Sequence, residues 1–230
     1  MKIDLYADGS DLTEIKRLKQ DPNIRGFTTN PTLMRKSGVT DYIQFVQDVV
    51  EVVGDSPVSF EVFSDDLSEM EEQGRKIAEY GDNIYIKIPI TNTKGISTAS
   101  VIESLLKDGI KVNVTAVFTK KQIKDLLLVM DSETPVVLSI FAGRIADTGV
   151  DPKPLVAWAV ESVTSNVEVL WASPREIYNL YEAESVGCNI ITMTPSLIAK
   201  TSLGGKSLDE YSLDTVKMFY NDAAEAKYSL

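Results

Sequence analysis

Eight short apolar segments recur along the 230-residue chain at intervals of about 20–30 residues. They span 3–8, 26–30, 58–63, 84–90, 111–118, 136–142, 168–172 and 189–193. The stretches between them read as helices. Residues 11–19 begin with Asp11 and Glu14 at the spacing of a capping box and place Leu12, Ile15 and Leu18 on one face. Residues 42–53 carry Ile43, Val46, Val49, Val50 and Val53 at helical spacing. Similar patterns occupy 67–80, 97–107, 120–130, 154–164 and 174–186. Strand then helix, eight times over, predicts an α/β fold: a (β/α)8 TIM barrel in a single domain over 1–230. A doubly wound open sheet is the weaker reading, because no G-x-G-x-x-G follows the first strand. A helical stretch over about 208–226 follows Gly204-Gly205 and has no ninth strand to pair with. The segment from about 206 to 230 either packs on its own barrel or reaches a neighbouring subunit, and the two readings stand level.

Inside this pattern one residue is out of place. Segment 84–90 reads Ile-Tyr-Ile-Lys-Ile-Pro-Ile, with Lys87 at its centre. An ammonium in a buried strand is costly unless it is paired or gives up its proton. A neutral lysine is a nucleophile for carbonyl carbon. The plain structural reading is a lysine that snorkels to the strand end or pairs with a carboxylate.

The neighbouring strands favour chemistry. Alternate strand residues point into a barrel, and active sites lie at the C-terminal strand ends. By that parity Asp8, Thr28, Asn30, Glu61, Lys87, Asn113, Thr115, Ser139, Phe141 and Ser173 converge on one mouth. Each polar group has a use around an imine. Glu61 shuttles protons as the imine forms, directly or through a water held by Thr115, and Asp8 takes a hydroxyl proton as a carbon–carbon bond breaks. Asn30, Asn113 and Ser139 bind hydroxyls without charge. Arg144 and Arg175 follow strands six and seven, where barrels hold phosphate. Taken alone, each arginine reads as half of a surface salt bridge. Next to this mouth, phosphate binding is the better reading.

Composition removes whole classes of mechanism. There is no histidine, which excludes Ser-His-Asp and Cys-His triads. No clustered carboxylate loop suggests a metal site. The net charge of −11 opposes nucleic-acid binding, and local arginines must overcome it to hold a phosphate. No stretch approaches the roughly 20 apolar residues of a membrane span. One cysteine, Cys188, and an N-terminus without signal-peptide layout point to a cytoplasmic location.

Five motifs in order resemble the transaldolase family, in particular its small-subunit branch, which includes the fructose-6-phosphate aldolases. They are Thr28-Thr29-Asn30-Pro31, Ile86-Lys87-Ile88-Pro89, Asn113-Val114-Thr115, Ser139-Ile140-Phe141-Ala142-Gly143-Arg144 and Ala172-Ser173-Pro174-Arg175. The resemblance implies transfer of a dihydroxyacetone unit from sedoheptulose 7-phosphate or fructose 6-phosphate to an aldose phosphate. The pathway it implies is the non-oxidative pentose phosphate pathway, with no cofactor and no metal. Lys87 then resembles the imine lysine, Asp8 the acid/base of bond cleavage, and Glu61 with Thr115 the pair that positions a catalytic water. Asn30, Asn113 and Ser139 resemble hydroxyl ligands, and Arg144, Ser173 and Arg175 the phosphate site. The aldolases of this branch carry Gln at the position of Glu61 and Tyr at that of Phe141, so both residues favour the transferase. Ile140 stands where the family usually has Pro, and Pro174 where an aromatic or aliphatic residue is common. Small members of this branch form pentamers paired into decamers, so the resemblance implies a homo-oligomer with phosphorylated sugars as its other partners. An aldolase with the same imine lysine is the alternative, and a non-catalytic sugar-phosphate-binding barrel is a remote one.

Overall fold

The computed structural model describes residues 2–130 and 133–228. Eight parallel strands close into a barrel in chain order, with β8 returning to β1. The strands are β1 (Asp4–Asp8), β2 (Ile24–Thr28), β3 (Val58–Glu61), β4 (Ile84–Pro89), β5 (Val112–Val117), β6 (Val136–Ile140), β7 (Val167–Trp171) and β8 (Ile190–Met193). All eight segments expected from periodicity are strands, most of them trimmed by a residue or two. The trimming at the C-terminal ends has a local cause. Asn30 leaves β2 to cap a short helix with Pro31 at its first position, a residue that fits there because its missing N–H has no partner in a first turn. Phe141 likewise sits at the start of a helix rather than inside β6.

The helices are α1 (Leu12–Leu18), α2 (Pro31–Lys36), α3 (Tyr42–Val53), α4 (Leu67–Ala78), α5 (Ala99–Lys107), α6 (Lys120–Leu127), α7 (Ala142–Asp147), α8 (Lys153–Ser162), α9 (Tyr178–Ser185), α10 (Pro195–Ala199) and α11 (Leu208–Glu225). Three short ones, α2, α7 and α10, follow strands at the barrel mouth and escape a reading based on apolar periodicity. Asp11 caps α1 by accepting from the Glu14 amide. The Glu14 carboxylate does not return that bond; it pairs with Arg17. Thr119 and Gln122 form a complete capping box on α6.

The apolar side chains divide into two clusters. The larger lies between strands and helices and includes Phe27, Phe60, Ile86, Leu138 and Trp171. A smaller one, with Tyr6, Val137, Leu170 and Ile190, lies in the barrel interior and reaches the mouth at Ala172. Gly26 shows how tightly it is filled: a Cβ there would lie 2.5 Å from the Tyr6 ring. Burial on both faces explains why β6 reads as unbroken apolar sequence apart from Ser139.

The chain divides into two compact units, Met1–Ile198 and Ala199–Leu230. The barrel closes within the first. The second holds a 3₁₀ turn (Lys200–Leu203) and α11, which Ser207 caps through the Glu210 amide. Among the described residues, no helix is long and apolar enough to cross a membrane.

Candidate active site

The C-terminal strand ends open into a cavity of about 500 Å³. Asp8, Glu61, Lys87 and Thr115 line it together with Thr28, Asn30, Ser139, Phe141, Arg144, Ser173 and Arg175. Register explains the convergence: Asp8 lies beside Thr28, Glu61 beside Lys87, and Lys87 beside Asn113 on adjacent strands.

Lys87 is 7% exposed. Its Nζ lies 3.1 Å from Glu61 Oε2 and donates to the Thr29 carbonyl at 3.0 Å. The lysine is therefore paired with a carboxylate, as the plain reading held, and it also faces the cavity. Pairing and chemistry do not compete here, because the partner carboxylate is itself a proton acceptor in reach of the amine. The Glu61 main chain is fixed by Tyr42, whose hydroxyl donates to the Glu61 carbonyl at 2.6 Å.

Asp8 is partly buried at the end of β1, and desolvation raises its pKa; the Lys87 charge and hydrogen bonding from Thr28 and Asn30 oppose this. The Thr28 hydroxyl donates to Asp8 Oδ1 at 2.8 Å and lies 2.6 Å from the Thr192 hydroxyl. Thr28 thus acts on the cavity chiefly through Asp8. Asn30 accepts the Leu33 amide with its Oδ1, which commits the oxygen to the cap of α2 and leaves the amide nitrogen for other partners.

Thr115 is 2% exposed, and its Oγ1 has no hydrogen-bond partner among the described residues. A buried hydroxyl without a partner, on a cavity wall, suits a bound water or a substrate hydroxyl. Next to it Ala116 has φ 58, in the left-handed region, and the ladder to β6 shifts register between Val114 and Val117. Three residues of β5 step past where two of β6 do, so a β-bulge brings Ala116 to the cavity wall beside Thr115.

Asn113 is placed differently. It does not line the cavity: its Nδ2 donates to Ser59 Oγ at 2.9 Å and its Oδ1 accepts from Ser139 Oγ at 2.7 Å. All three residues are buried, and they form a polar tie across β3, β5 and β6 next to Lys87. Ser139 belongs both to this tie and to the cavity wall.

On the β6–β7 side, Gly143 approaches Ser173 so closely that a Cβ at 143 would overlap the Ser173 carbonyl. The Gly143 amide donates to the Ala172 carbonyl at 3.2 Å. Ser173 itself has φ 62. Arg144 and Arg175 project from these two segments and are exposed. Arg144 has no ion-pair partner among the described residues, and its guanidinium carbon lies 5.3 Å from the Phe141 ring centre. Arg175 donates from Nε to Asp147 Oδ1 at 3.0 Å and from Nη2 to Asp147 Oδ2, so this arginine does form a surface salt bridge. The hydrogen bond to Arg175 holds the Asp147 carboxyl below its usual range.

Thr192 and Ser59 are polar strand residues at the mouth and floor that the motif reading passed over. Strand parity alone would have found them, since each interrupts an apolar strand. Asp147 carried no such signal, because an acid in a short helix after β6 looks like ordinary surface. Among the described residues, no group of three or more acidic or cysteine side chains could hold a metal ion.

The fold recurs among solved structures. KGPDC from Streptococcus mutans superposes with a TM-score of 0.57 at 11% identity, over 85% of this chain and 89% of that one. A putative phosphonomutase from Burkholderia cenocepacia gives 0.58 at 12% identity over 94% of each. At such identity the likeness concerns the barrel alone. Sequence comparison is more specific. A probable transaldolase of Brucella anthropi is 31% identical over 219 residues, 92% of this chain and 96% of the relative. One of Ruegeria sp. is 32% identical over 216 residues, 91% and 94% respectively. The profile of the family described as Transaldolase/Fructose-6-phosphate aldolase matches residues 5–230. With the match running through every strand of the barrel, the chain belongs to the transaldolase/fructose-6-phosphate aldolase family.

Proposed function

We propose that the protein is a transaldolase. It moves a dihydroxyacetone unit from sedoheptulose 7-phosphate or fructose 6-phosphate to glyceraldehyde 3-phosphate or erythrose 4-phosphate through an imine on Lys87. The observation that carries this reading is the buried Lys87 on the cavity wall, 3.1 Å from the Glu61 carboxylate. Glu61 takes the ammonium proton, and the freed amine attacks the donor ketone. Loss of water from the carbinolamine then needs a proton returned to the departing hydroxyl. Glu61 supplies it, through a water on the unpartnered Thr115 hydroxyl where the distance requires one. Asp8 accepts the proton of the donor hydroxyl as the carbon–carbon bond breaks. Its burial raises its basicity, which suits that task.

The bond cleavage leaves an enamine on Lys87. Phe141 has no proton to give it, so the enamine waits for an aldehyde acceptor. This favours the transferase over an aldolase that releases dihydroxyacetone. Asn30, Ser139 and Asn113 hold hydroxyls, the last of these indirectly through Ser139. Arg144, Ser173 and Arg175 hold the phosphate. The resemblance further supports a place in the non-oxidative pentose phosphate pathway, a cytoplasmic setting and a homo-oligomer. Leu213, Val216 and Phe219, all exposed on α11, are apolar surface of the kind a neighbouring subunit would cover.

The test is reductive trapping. The protein is incubated with fructose 6-phosphate and no acceptor, treated with borohydride, and the modified peptide is mapped by mass spectrometry. A dihydroxyacetone adduct on Lys87 is expected. No adduct, or one on another lysine, would overturn the assignment. Assay of free dihydroxyacetone without acceptor then separates the two activities: a transaldolase releases little of it.

A further inference from the structure

Resting on the reading that Arg144 and Arg175 bind the substrate phosphate, we propose that Asp147 is the positioning residue for Arg175. It grips one edge of the guanidinium and presents the other edge to the phosphate.

The geometry is side-on. Asp147 accepts from Nε and from Nη2, one carboxylate oxygen to each. That leaves one hydrogen of Nη2 and one of Nη1 as the end-on fork of the guanidinium, with the second Nη1 hydrogen directed away from it. An end-on fork can hold two phosphate oxygens at once. Asp147 does not line the cavity, whereas Arg175 does. The carboxylate therefore stands behind the arginine rather than in the place a phosphate would take, as expected of a support and not of a competitor.

The surrounding backbone restrains the same arginine. The Arg175 amide donates to Asn179 Oδ1 at 2.7 Å, and Pro174 fixes the approach to it. Asp147 and Arg144 lie three residues apart on α7, so one short helix supplies the first arginine and the anchor for the second. An arginine has rotamer freedom to lose when it binds. Where a carboxylate has already ordered the side chain, less of that freedom remains to be lost to the phosphate.

The experiment compares glyceraldehyde 3-phosphate with unphosphorylated glyceraldehyde as acceptor for Asp147→Asn, Asp147→Glu and Arg175→Ala. Both partners of the pair are about half exposed, so these variants are expected to fold, and thermal melts check this. Asp147→Asn is expected to raise KM for the phosphorylated acceptor about fivefold to tenfold with kcat held within about twofold. The KM for glyceraldehyde should not follow. Asp147→Glu keeps the carboxylate and should recover part of the loss. A fall in KM with Asp147→Asn would make Asp147 a competitor of the phosphate and overturn the proposal. An unchanged KM beside a raised one for Arg175→Ala would overturn it too, by showing an idle surface pair. If Arg175→Ala left the phosphorylated acceptor unaffected, the phosphate reading itself would fall.

Discussion

The floor and the rim of the cavity both hold cations next to carboxylates, and they use them differently. At the floor Lys87 is almost fully buried, with Glu61 in reach. At the rim Arg175 is about half exposed and gripped by Asp147. The same pairing of opposite charges has different consequences in these two places. Burial strengthens electrostatic interaction and makes an unpaired charge expensive, so at the floor each partner depends on the other. At the rim water screens the pair, neither partner gains from neutralisation, and the arginine stays a fixed donor. The lesson is that burial assigns the task. The deep pair is suited to proton transfer and the shallow one to holding an anion.

The largest expected effect bears on the floor. Lys87→Met keeps the length of the side chain without its amine, and turnover should fall by at least about 10⁴-fold because a covalent route is lost. Circular dichroism should show the fold intact. Activity retained in this variant would remove the distinction between floor and rim.

Asp8→Asn comes next. Loss of a positioned general base should lower kcat by about 10²–10⁴-fold. The same variant tests burial through stability. The folded-state pKa of Asp8 is raised, so the folded protein prefers the protonated acid. Its favourable contribution is present below the unfolded pKa and is lost as pH rises through the folded one. Asn removes that loss, so the Tm gain over the parent should be larger at pH 7 than at pH 4. A gain that does not depend on pH would mean burial is not what distinguishes Asp8.

For the rim, Arg144→Ala should raise KM for phosphorylated substrates about tenfold or more and leave unphosphorylated ones nearly unchanged. The effect should shrink as ionic strength rises, unlike that of Lys87→Met. Equal effects on both substrate types would refute the rim's role.

The smallest effect lies on the side of the barrel away from the mouth. Burial raises the Glu168 pKa, with Asp4 adding to the shift. A raised carboxyl pKa favours the folded state at low pH and costs stability as pH rises through it. Glu168→Gln should therefore raise Tm at pH 7 by about 1–2 °C, with the gain gone near pH 4, and without change in activity. A change in activity would show that the mouth and the far end of the barrel are coupled.

Much of this arrangement was readable before the structure. The eight strands follow from apolar runs spaced by amphipathic helices, a signal set by burial on two faces. Lys87, Glu61 and Asp8 were legible for the same reason: each is a charge placed where strand parity demands an apolar or small residue. The short helices α2 and α7 were less so, because six residues are too few for a periodic face to show. The bulge at Ala116 left no trace, since alanine is an ordinary strand residue and its positive φ is imposed by the ladder around it. Asn113 shows the limit of parity. The register points it inward, but whether an inward amide meets substrate or its neighbours depends on Ser59 and Ser139, which only the three-dimensional arrangement brings to it.

Gly143 bears on how this protein tolerates change. It has no side chain to take part in chemistry, yet a single methyl there would collide with the Ser173 backbone. Relief would require the segment that bears Arg175 to retreat from the one that bears Arg144. A saturation scan should thus find one of its least forgiving columns at a residue with no side chain, where even alanine fails. Nearby exposed positions such as Thr148 and Val150 should accept most replacements.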